Sequence, residues 1–272
     1  MISLLLALVV GTWNGNWFPS GRADRHLPPS AEESRVMEAG RLLANALQAV
    51  DPLGTNDVIL VLNEMRDRTS AERLVRSVGR KGLRVAAMTE YRFRDGADEQ
   101  QDAVVTTLPV VKSRWARWRY DPVANPPRGY AFASVVVEPA VTAHVYAVHL
   151  KANGGGKDAA QAMTNALKRA GAIAQVLRIE QGPAPVILAG DFNADCWSGR
   201  FSNETVFAAL DSAGFRNPLA LLPPDRRRTH VSGCALDYIL TRGFETAQPP
   251  VVVPVPSLSD HHAVFVLTRN PS

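Results

Sequence analysis

The sequence has few cysteines and no long apolar run, and these two shortages narrow the class of protein. Its only cysteines are Cys196 and Cys234, and neither belongs to a Cys-x-x-Cys metal pattern. They leave open a disulfide, two free thiols or a fortuitous pair, so they do not define a redox compartment. No run reaches the roughly 18 apolar residues that a membrane-spanning helix needs. We therefore expect a soluble protein without stable membrane insertion.

The amino-terminal segment Met1–Val10 is apolar, but it lacks a basic leading region and an Ala-x-Ala-like cleavage site. It continues directly into Gly11-Thr12-Trp13-Asn14, and we interpret it as the first strand. The alternative is a signal segment, which would make the protein secreted rather than cytoplasmic.

The composition is that of a globular chain with one substantial core, since 46% of the residues are hydrophobic and 21% are charged. The proline-rich segments 125–128 and 249–256 contain too little Gly and Ser to be flexible linkers. We therefore predict a single domain over residues 1–272, and we expect a monomer. The net charge of +4 and the pI near 9.3 fit a polyanionic partner.

Short runs rich in Val, Ile and Leu alternate with segments of helical period, as in a mixed α/β chain. The predicted strands are Leu4–Trp13, Asp57–Leu62, Leu83–Met88, Ala103–Leu108, Tyr130–Val137, Ala143–His149, Ala184–Ala189, Ala235–Leu240, Val251–Val255 and Ala263–Leu267. The predicted helices are Ser30–Ala49, Ser70–Gly79, Asp158–Glu180 and Asn203–Ala213. Strands outnumber helices, and several follow one another directly. This order favours two packed sheets flanked by helices over a doubly wound parallel fold.

Polar residues able to bind a metal or transfer a proton recur where an apolar run stops. A single acid after a strand is usually a turn residue or a helix cap. Here, however, such residues recur in short strings of fixed spacing, which independent turn residues have no reason to form. The strings are Thr12-Trp13-Asn14, Asn63-Glu64-Met65-Arg66-Asp67, Val148-His149-Leu150, Gly190-Asp191-Phe192-Asn193, Leu236-Asp237-Tyr238-Ile239 and Ser259-Asp260-His261.

These six strings resemble the signature strings of the DNase I-like endonuclease/exonuclease/phosphatase superfamily, in the same order and over residues 12 to 261. The resemblance implies an α/β (α+β) fold. Its architecture would be a four-layer α/β sandwich, with two mixed β-sheets packed face to face and helices outside. The site would lie at the sheet edge where the six strings meet.

The resemblance also implies a metal site. Glu64 would be the principal metal carboxylate, assisted by Asn14 and Asp260. Hard oxygen ligands without a Cys or His cluster suit Mg²⁺, with Mn²⁺ or Ca²⁺ as alternatives, rather than zinc.

The catalytic roles implied by the resemblance fall on five residues. Asp191 and Asn193 would hold or activate the attacking water, and His261 would contact the scissile phosphate, with Asp237 fixing its tautomer. His149 would be the second imidazole, which contacts phosphate or protonates the leaving oxygen. Either Asp191 or a histidine would be the general base.

Four further residues are candidates for substrate binding. Arg66 follows Glu64 by two positions, a spacing that returns a strand side chain to the same face. Its alternatives are phosphate contact and a surface ion pair with Asp67. Arg128 resembles a second phosphate-binding arginine, with a solvated loop charge as its alternative. Lys151 and Asn153 precede the Gly154-Gly155-Gly156 segment, which is either a close-approach loop or a turn.

One feature departs from DNase-type members, in which the histidine equivalent to His149 pairs with a glutamate. The comparable stretch here is Glu99-Gln100-Gln101-Asp102, so Glu99 or Asp102 is the candidate partner.

The sequence therefore predicts a metal-dependent phosphodiesterase, specifically an endonuclease with DNA as substrate, and Arg66 is the main reason to prefer DNA. The alternatives are a sphingomyelinase-like phospholipid phosphodiesterase or an inositol phosphate phosphatase of the same fold. A noncatalytic binding module is disfavoured because Glu64, Asp191 and His261 are all present.

Overall fold

The structure is a computed structural model that describes residues 7–20, 26–93, 96–97, 100–153 and 158–269. The helices are α1 (Pro29–Val50), α2 (Arg68–Val78), α3 (Ala159–Ile179) and α4 (Val206–Ser212). Three short 3-10 helices cover Gly199–Phe201, Pro218–Leu221 and Pro224–Arg226.

The strands form two large sheets and one short hairpin. In chain order they are β1 (Ala7–Phe18), β2 (Asp57–Met65), β3 (Arg84–Met88), β4 (Arg92–Phe93), β5 (Gly96–Ala97), β6 (Gln101–Thr106), β7 (Val110–Arg117), β8 (Gly129–Glu138), β9 (Val141–His149), β10 (Val186–Asp191), β11 (Asp237–Arg242), β12 (Glu245–Thr246), β13 (Val251–Val253) and β14 (Ala263–Arg269).

Both large sheets are mixed. Sheet 1 has the order β12-β14-β1-β2-β6-β3, with β13 also paired to β14, and sheet 2 has the order β11-β10-β9-β8-β7. In sheet 1, β1 and β2 are parallel to each other and antiparallel to their outer neighbours β14 and β6. In sheet 2, β9 and β10 are the parallel pair, with β8 and β11 antiparallel beside them.

The two sheets pack face to face, and the helices cover their outer faces. On β2, Ile59 and Val61 belong to the core cluster between the sheets, together with Val145 of β9. The intervening Val58 and Leu60 belong to the cluster that α1 and α2 cover. Because successive strand residues face opposite sides, both faces of β2 are buried, and the strand is apolar throughout. The two-sheet, four-layer architecture predicted from the sequence is confirmed.

The apolar runs located most strands, and the main omission has a physical reason. Strand β7 was missed because it lies at the edge of sheet 2, and nearly all of its residues are exposed. It contains Lys112 and Arg114 instead of an apolar face, so it gives no hydrophobic signal. Strand β1 was predicted from Leu4, which lies outside the described residues, and it continues to Phe18.

Cys196 and Cys234 are both free thiols, which decides between the alternatives that the sequence left open.

Within the described residues, no helix combines the length and apolarity needed to cross a bilayer.

Gly190 is required at the carboxyl end of β10. Its φ is +134°, a region that side-chain-bearing residues rarely adopt, and a Cβ atom there would lie 2.0 Å from the Val148 carbonyl oxygen. The glycine therefore lets β10 approach β9 closely just before Asp191.

We predict that Gly190→Ala lowers the free energy of unfolding by about 3 kcal/mol, because it combines backbone strain with overpacking. Urea denaturation of the two proteins measures the difference. Gly182→Ala is the matched control, since a Cβ atom at Gly182 would contact nothing within 4 Å, and its effect should stay within about 0.5 kcal/mol. Equal stability of Gly190→Ala and Gly182→Ala would contradict the steric explanation.

Candidate active site

Strand topology brings the polar ends of several strands to one edge of the sandwich. The parallel pair in each sheet ends there, so Glu64 of β2, His149 of β9 and Asp191 of β10 are neighbours. In the ladders, Asp191 is paired with His149 on one side and with Asp237, the first residue of β11, on the other. His261 precedes β14, which is antiparallel to β1, and thus reaches the same edge.

Two buried carboxylates from opposite sheets meet at this edge through one amide. Asn14 of β1 donates from Nδ2 to Glu64 Oε1 of sheet 1 at 3.3 Å and to Asp191 Oδ2 of sheet 2 at 3.0 Å. Its Oδ1 accepts from the backbone N–H of Asn16. Asn14 is fully buried, so its amide holds the two carboxylates close together without exposing them to solvent.

Asp191 is held by several amide groups. Asn193 donates to it twice, from its backbone N–H to Oδ1 at 2.8 Å and from Nδ2 to Oδ2 at 3.0 Å. The Nε2 atoms of His149 and His261 lie 3.5 Å and 3.7 Å from Oδ2. Burial raises the pKa of Asp191 to about 7, against the lowering effect of the His261 charge.

Glu64 takes its position from an irregular end of β2. Its φ is +57°, and the register with β6 shifts between Leu62 and Met65. The Oε2 atom accepts a hydrogen bond from the backbone N–H of Trp17, in the bulged end of β1. Burial raises the pKa of Glu64, while the hydrogen bond from Asn14 and the charge of His261 oppose that shift.

His261 is oriented by a buried carboxylate. Its Nδ1 lies 2.8 Å from Asp237 Oδ2, and that oxygen also accepts a hydrogen bond from Thr229 Oγ1 at 2.9 Å. The Ser259 hydroxyl accepts from the His261 N–H and donates to the carbonyl of Asn14, which ties this segment to β1. Burial alone would lower the pKa of His261, but the charges of Asp237 and Asp191 and the hydrogen bond to Asp237 together raise it to about 10. The imidazole is therefore a cation with Nε2–H directed toward Asp191.

His149 has a contact with Arg128 that the sequence did not predict. Its Nδ1 lies 3.2 Å from Arg128 Nη1, which can only donate, so Nδ1 is the acceptor and Nε2 has the proton. Asp102, proposed as a partner, instead accepts from Asn63 Nδ2 at 2.7 Å, while Glu99 lies outside the described residues. Burial lowers the pKa of His149 well below 6.5, and the positive charges of Arg128 and His261 lower it further. His149 is thus neutral.

These groups surround a cleft of about 250 Å³. Of the twelve residues predicted for the site, seven line it: Glu64, Arg128, His149, Lys151, Asp191, Asn193 and His261. Asn14 and Asp237 do not line the cleft, but they are hydrogen-bond partners of Asp191 and His261, respectively. Burial lowers the pKa of Lys151, and the charges of Lys168 and Arg128 add to that effect.

Arg66 does not follow the same-face expectation, and the irregular backbone is the reason. Alternation of side chains holds only in regular strand, and the left-handed conformation of Glu64 interrupts it. The Arg66 guanidinium instead forms a two-pronged ion pair with Glu32 of α1, at 2.5 Å and 3.1 Å, and a weaker one with Asp67 at 3.3 Å. The ion pair with Asp67 that the sequence offered as the alternative is thus observed, and phosphate contact by Arg66 stays a prediction.

Two other predicted residues contact residues that do not line the cleft. The Asn153 side chain accepts from Arg169 Nη1 at 3.1 Å, and Arg169 also donates to the carbonyl of Lys151. Asp260 Oδ2 lies 3.4 Å from His230 Nε2, and the hydrogen bond from His230 lowers the pKa of Asp260. The glycine segment 154–156 lies outside the described residues.

The donor set fits a hard divalent cation. Glu64 and Asp191 present oxygen atoms bridged by a single amide nitrogen, and both carboxyl pKa values are raised chiefly by burial. A divalent cation there would offset the desolvation of two buried carboxylates. Asn14 turns its nitrogen toward them and its oxygen toward Asn16, and of the predicted ligands Glu64 is the one that lines the cleft.

Sequence reasoning assigned no site role to three residues that contribute to it, namely Asn63, Gln100 and His230. Asn63 is fully buried and links three strands, since it donates to Asp102 and to the Val148 carbonyl and accepts from the Asp191 N–H. Gln100 lines the cleft and bonds to Arg128. His230 packs edge-on against His261 with ring centroids 4.6 Å apart. Of these, only Asn63 has a possible sequence signal, because it is a polar residue within the apolar β2 run.

Comparisons with known proteins agree with this geometry. The model of the endonuclease/exonuclease/phosphatase family matches residues 11–261. No curated protein matches the sequence. Similar solved structures include an endonuclease/exonuclease/phosphatase from Beutenbergia cavernae, with a TM-score of 0.69, 18% identity, and coverage of 98% of this chain and 72% of that chain.

The human nocturnin catalytic domain, solved with a bound sulfate anion, has a TM-score of 0.64 at 18% identity, with 97% of this chain and 94% of that chain covered. Sphingomyelinase C from Streptomyces griseocarneus has a TM-score of 0.57 at 20% identity, with 97% and 99% covered. At these identities the likeness concerns the fold.

The ion pair between Glu32 and Arg66 predicts a pH-dependent loss of stability. The hydrogen bond from Arg66 outweighs desolvation and lowers the pKa of Glu32 below its ordinary value of 4.5. The pair therefore contributes fully above that value, and its contribution is lost as the pH falls through the lowered pKa. We expect Glu32→Gln to cost about 2 kcal/mol of unfolding free energy at neutral pH, and the difference from wild type to narrow below pH 4.5.

Urea denaturation at a series of pH values measures this difference. Glu33→Gln is the control, because the Glu33 side chain is 58% exposed and pairs with Arg73 at the surface; it should change stability by less than about 0.5 kcal/mol. A constant penalty of Glu32→Gln at all pH values would contradict the assignment.

Proposed function

The chain belongs to the endonuclease/exonuclease/phosphatase family, and on that premise we propose that it is a divalent-metal-dependent phosphodiesterase that hydrolyses DNA as an endonuclease. The observation that carries the proposal is the meeting of Glu64, Asp191, His149 and His261 at one cleft. Two carboxylates, one cationic imidazole and one neutral imidazole suit phosphodiester hydrolysis, because such groups can accept a proton and stabilise the charge that develops on phosphate oxygens.

Asp191 is the candidate for activating water. Its Oδ2 lies between the two imidazoles, and the two hydrogen bonds from Asn193 fix the direction of the carboxylate. In the proposed reaction, the water oxygen forms a bond to phosphorus while its proton passes to Asp191. The bond from phosphorus to the leaving oxygen breaks in the same displacement, and the leaving oxygen takes a proton from solvent water while protonated Asp191 later returns its proton to solvent. The raised pKa of Asp191 suits a base that works near neutral pH.

The two histidines have distinct proposed roles because they have distinct partners. His261, kept cationic by Asp237, donates from Nε2–H to a nonbridging phosphate oxygen as negative charge builds there. His149 is neutral, with its proton on Nε2, and this N–H donates a hydrogen bond to the leaving oxygen or to the phosphate. Arg128 holds the tautomer that makes this donation possible.

Glu64 would hold the divalent cation, and we propose Mg²⁺, with Mn²⁺ or Ca²⁺ as alternatives, because the donor atoms are hard oxygens. When bound, the cation would supply Lewis-acid stabilisation of charge on phosphate oxygens. Asp260 stays a predicted ligand, although its carboxylate pairs with His230.

The preference for DNA no longer depends on Arg66, which is engaged with Glu32. It is supported by Arg128 and Lys151, which line the cleft, and by the net charge of +4. Cationic side chains beside a phosphate-sized cleft favour a polyanionic substrate.

A substrate panel tests the reaction and its substrate together. Purified protein is incubated with supercoiled plasmid, an abasic-site duplex, sphingomyelin and inositol phosphates, each with Mg²⁺ and with EDTA. We expect plasmid nicking that requires Mg²⁺. Hydrolysis of sphingomyelin or of an inositol phosphate with the plasmid intact would assign the site to that substrate instead.

Substitution of the cleft residues tests the mechanism. Glu64→Gln, Asp191→Asn and His261→Gln should each lower kcat by at least about a thousandfold, because each removes a charge that acts in the transition state. The rate of plasmid nicking under excess Mg²⁺ measures the effect. Glu72→Gln on α2, whose partner is the exposed Arg68, is the control of equal charge change. Retention of more than a tenth of the activity in Asp191→Asn would overturn its role as the base.

A further inference from the structure

A second and larger groove lies between the edge strand β7 and helix α3. Its volume is about 650 Å³, compared with about 250 Å³ for the cleft at the carboxylates. Strand β7, the segment after it and α3 all contribute arginines to its lining, which includes Arg114, Arg117, Arg119 and Arg178.

Neighbouring acids offset only part of the positive charge of this groove, since Asp121 interacts electrostatically with Arg178. All four arginines are exposed, and none takes part in a salt bridge within the described part of the chain. Asp121 also lines the groove, but its Oδ1 accepts hydrogen bonds from the backbone N–H groups of Val123 and Ala124. Four cations with one internally bonded carboxylate leave a local excess of positive charge, which attracts polyanions.

Protection of an exposed sheet edge explains only part of this arrangement. Charged residues on an edge strand discourage pairing with other chains, and Lys112 and Arg114 of β7 suit that role. Arg119 lies beyond the strand and Arg178 lies on α3, so edge protection does not require them. The buried side chain of Gln175 on α3 also fixes the position of the Arg119 backbone. It accepts a hydrogen bond from the Arg119 N–H at 2.7 Å and donates one to the Arg119 carbonyl at 3.1 Å.

The groove adjoins the active-site cleft. Arg117 is paired with Gly129 at the end of β7, and the N–H of Trp118 donates to the carbonyl of Arg128 at 3.1 Å. Arg128 itself lines the cleft beside His149. The segment that begins β8 therefore connects the cleft, through Arg128, with the groove, through Tyr130.

We propose that this arginine groove binds the phosphate backbone of DNA at positions outside the scissile bond. Because a polymeric substrate is needed to reach it, the inference rests on the proposed function. Arg114 lies over the Phe132 ring and Arg117 over the Tyr91 ring, but Arg117 also donates to the Arg92 carbonyl. Arg114, Arg119 and Arg178 would therefore each neutralise a phosphate.

The test compares DNA with a substrate too small to reach the groove. The variant is Arg114→Gln/Arg119→Gln/Arg178→Gln, and the control, Arg41→Gln/Arg76→Gln/Lys81→Gln, removes the same charge from exposed positions on and next to α1 and α2. Binding of a short fluorescent DNA duplex is measured in EDTA over a range of salt concentrations. Hydrolysis of bis(p-nitrophenyl) phosphate is measured with Mg²⁺.

We expect the groove variant to bind DNA at least about tenfold more weakly than the control at low salt. The slope of log affinity against log salt should fall by about 0.9 for each phosphate that is no longer neutralised, and thus by about 2 to 3 in total. Hydrolysis of the small diester should stay within about twofold of wild type, which also reports that the variant is folded. Arg178→Gln alone should lower the slope by about 1.

Equal DNA affinity and salt slope in the groove variant and the control would overturn the proposal. If wild type nicks plasmid while the groove variant matches the control, the groove fails and the proposed function stands. If wild type hydrolyses the small diester but neither binds nor cuts DNA, the assignment of DNA as substrate fails, and the groove fails with it.

Discussion

The shared amide of Asn14 is the constraint on which this site depends. It joins the Glu64 carboxylate of one sheet to the Asp191 carboxylate of the other, although two buried like charges repel and lose their hydration. The arrangement is tolerated because neutral donors converge on it: Asn193 on Asp191, and the Trp17 N–H on Glu64. The packing of the two sheets thus creates a place where a cation is electrostatically favoured.

The environments of the two imidazoles show how one residue type acquires two functions. Asp237 makes His261 a cation, whereas burial and Arg128 keep His149 neutral. Both rings direct Nε2 toward Asp191. Two histidines that differ only in what contacts Nδ1 can therefore serve as a charged and a neutral donor to the same phosphate.

Local sequence patterns predicted the regular parts of this protein well. Buried strands such as β2 and β10 are continuous apolar runs bounded by polar residues, so their positions follow from composition along the chain. Edge strand β7 was missed because only one of its edges is paired and its side chains contact water, which removes the apolar signal. Arg66 does not line the cleft, since its guanidinium pairs with Glu32 of α1 and the positive φ of Glu64 interrupts the regular strand between them.

The sequence by itself determined the family, the two-sheet fold and the residue types at the strand ends, because these follow from hydrophobic period and from short strings of fixed spacing. Only the tertiary structure decided which atoms meet. Arg128 contacts Nδ1 of His149, the Arg66 guanidinium pairs with Glu32, and Asn63 links neighbouring strands. These contacts join residues far apart in the chain, so they depend on register and backbone geometry that no local pattern encodes.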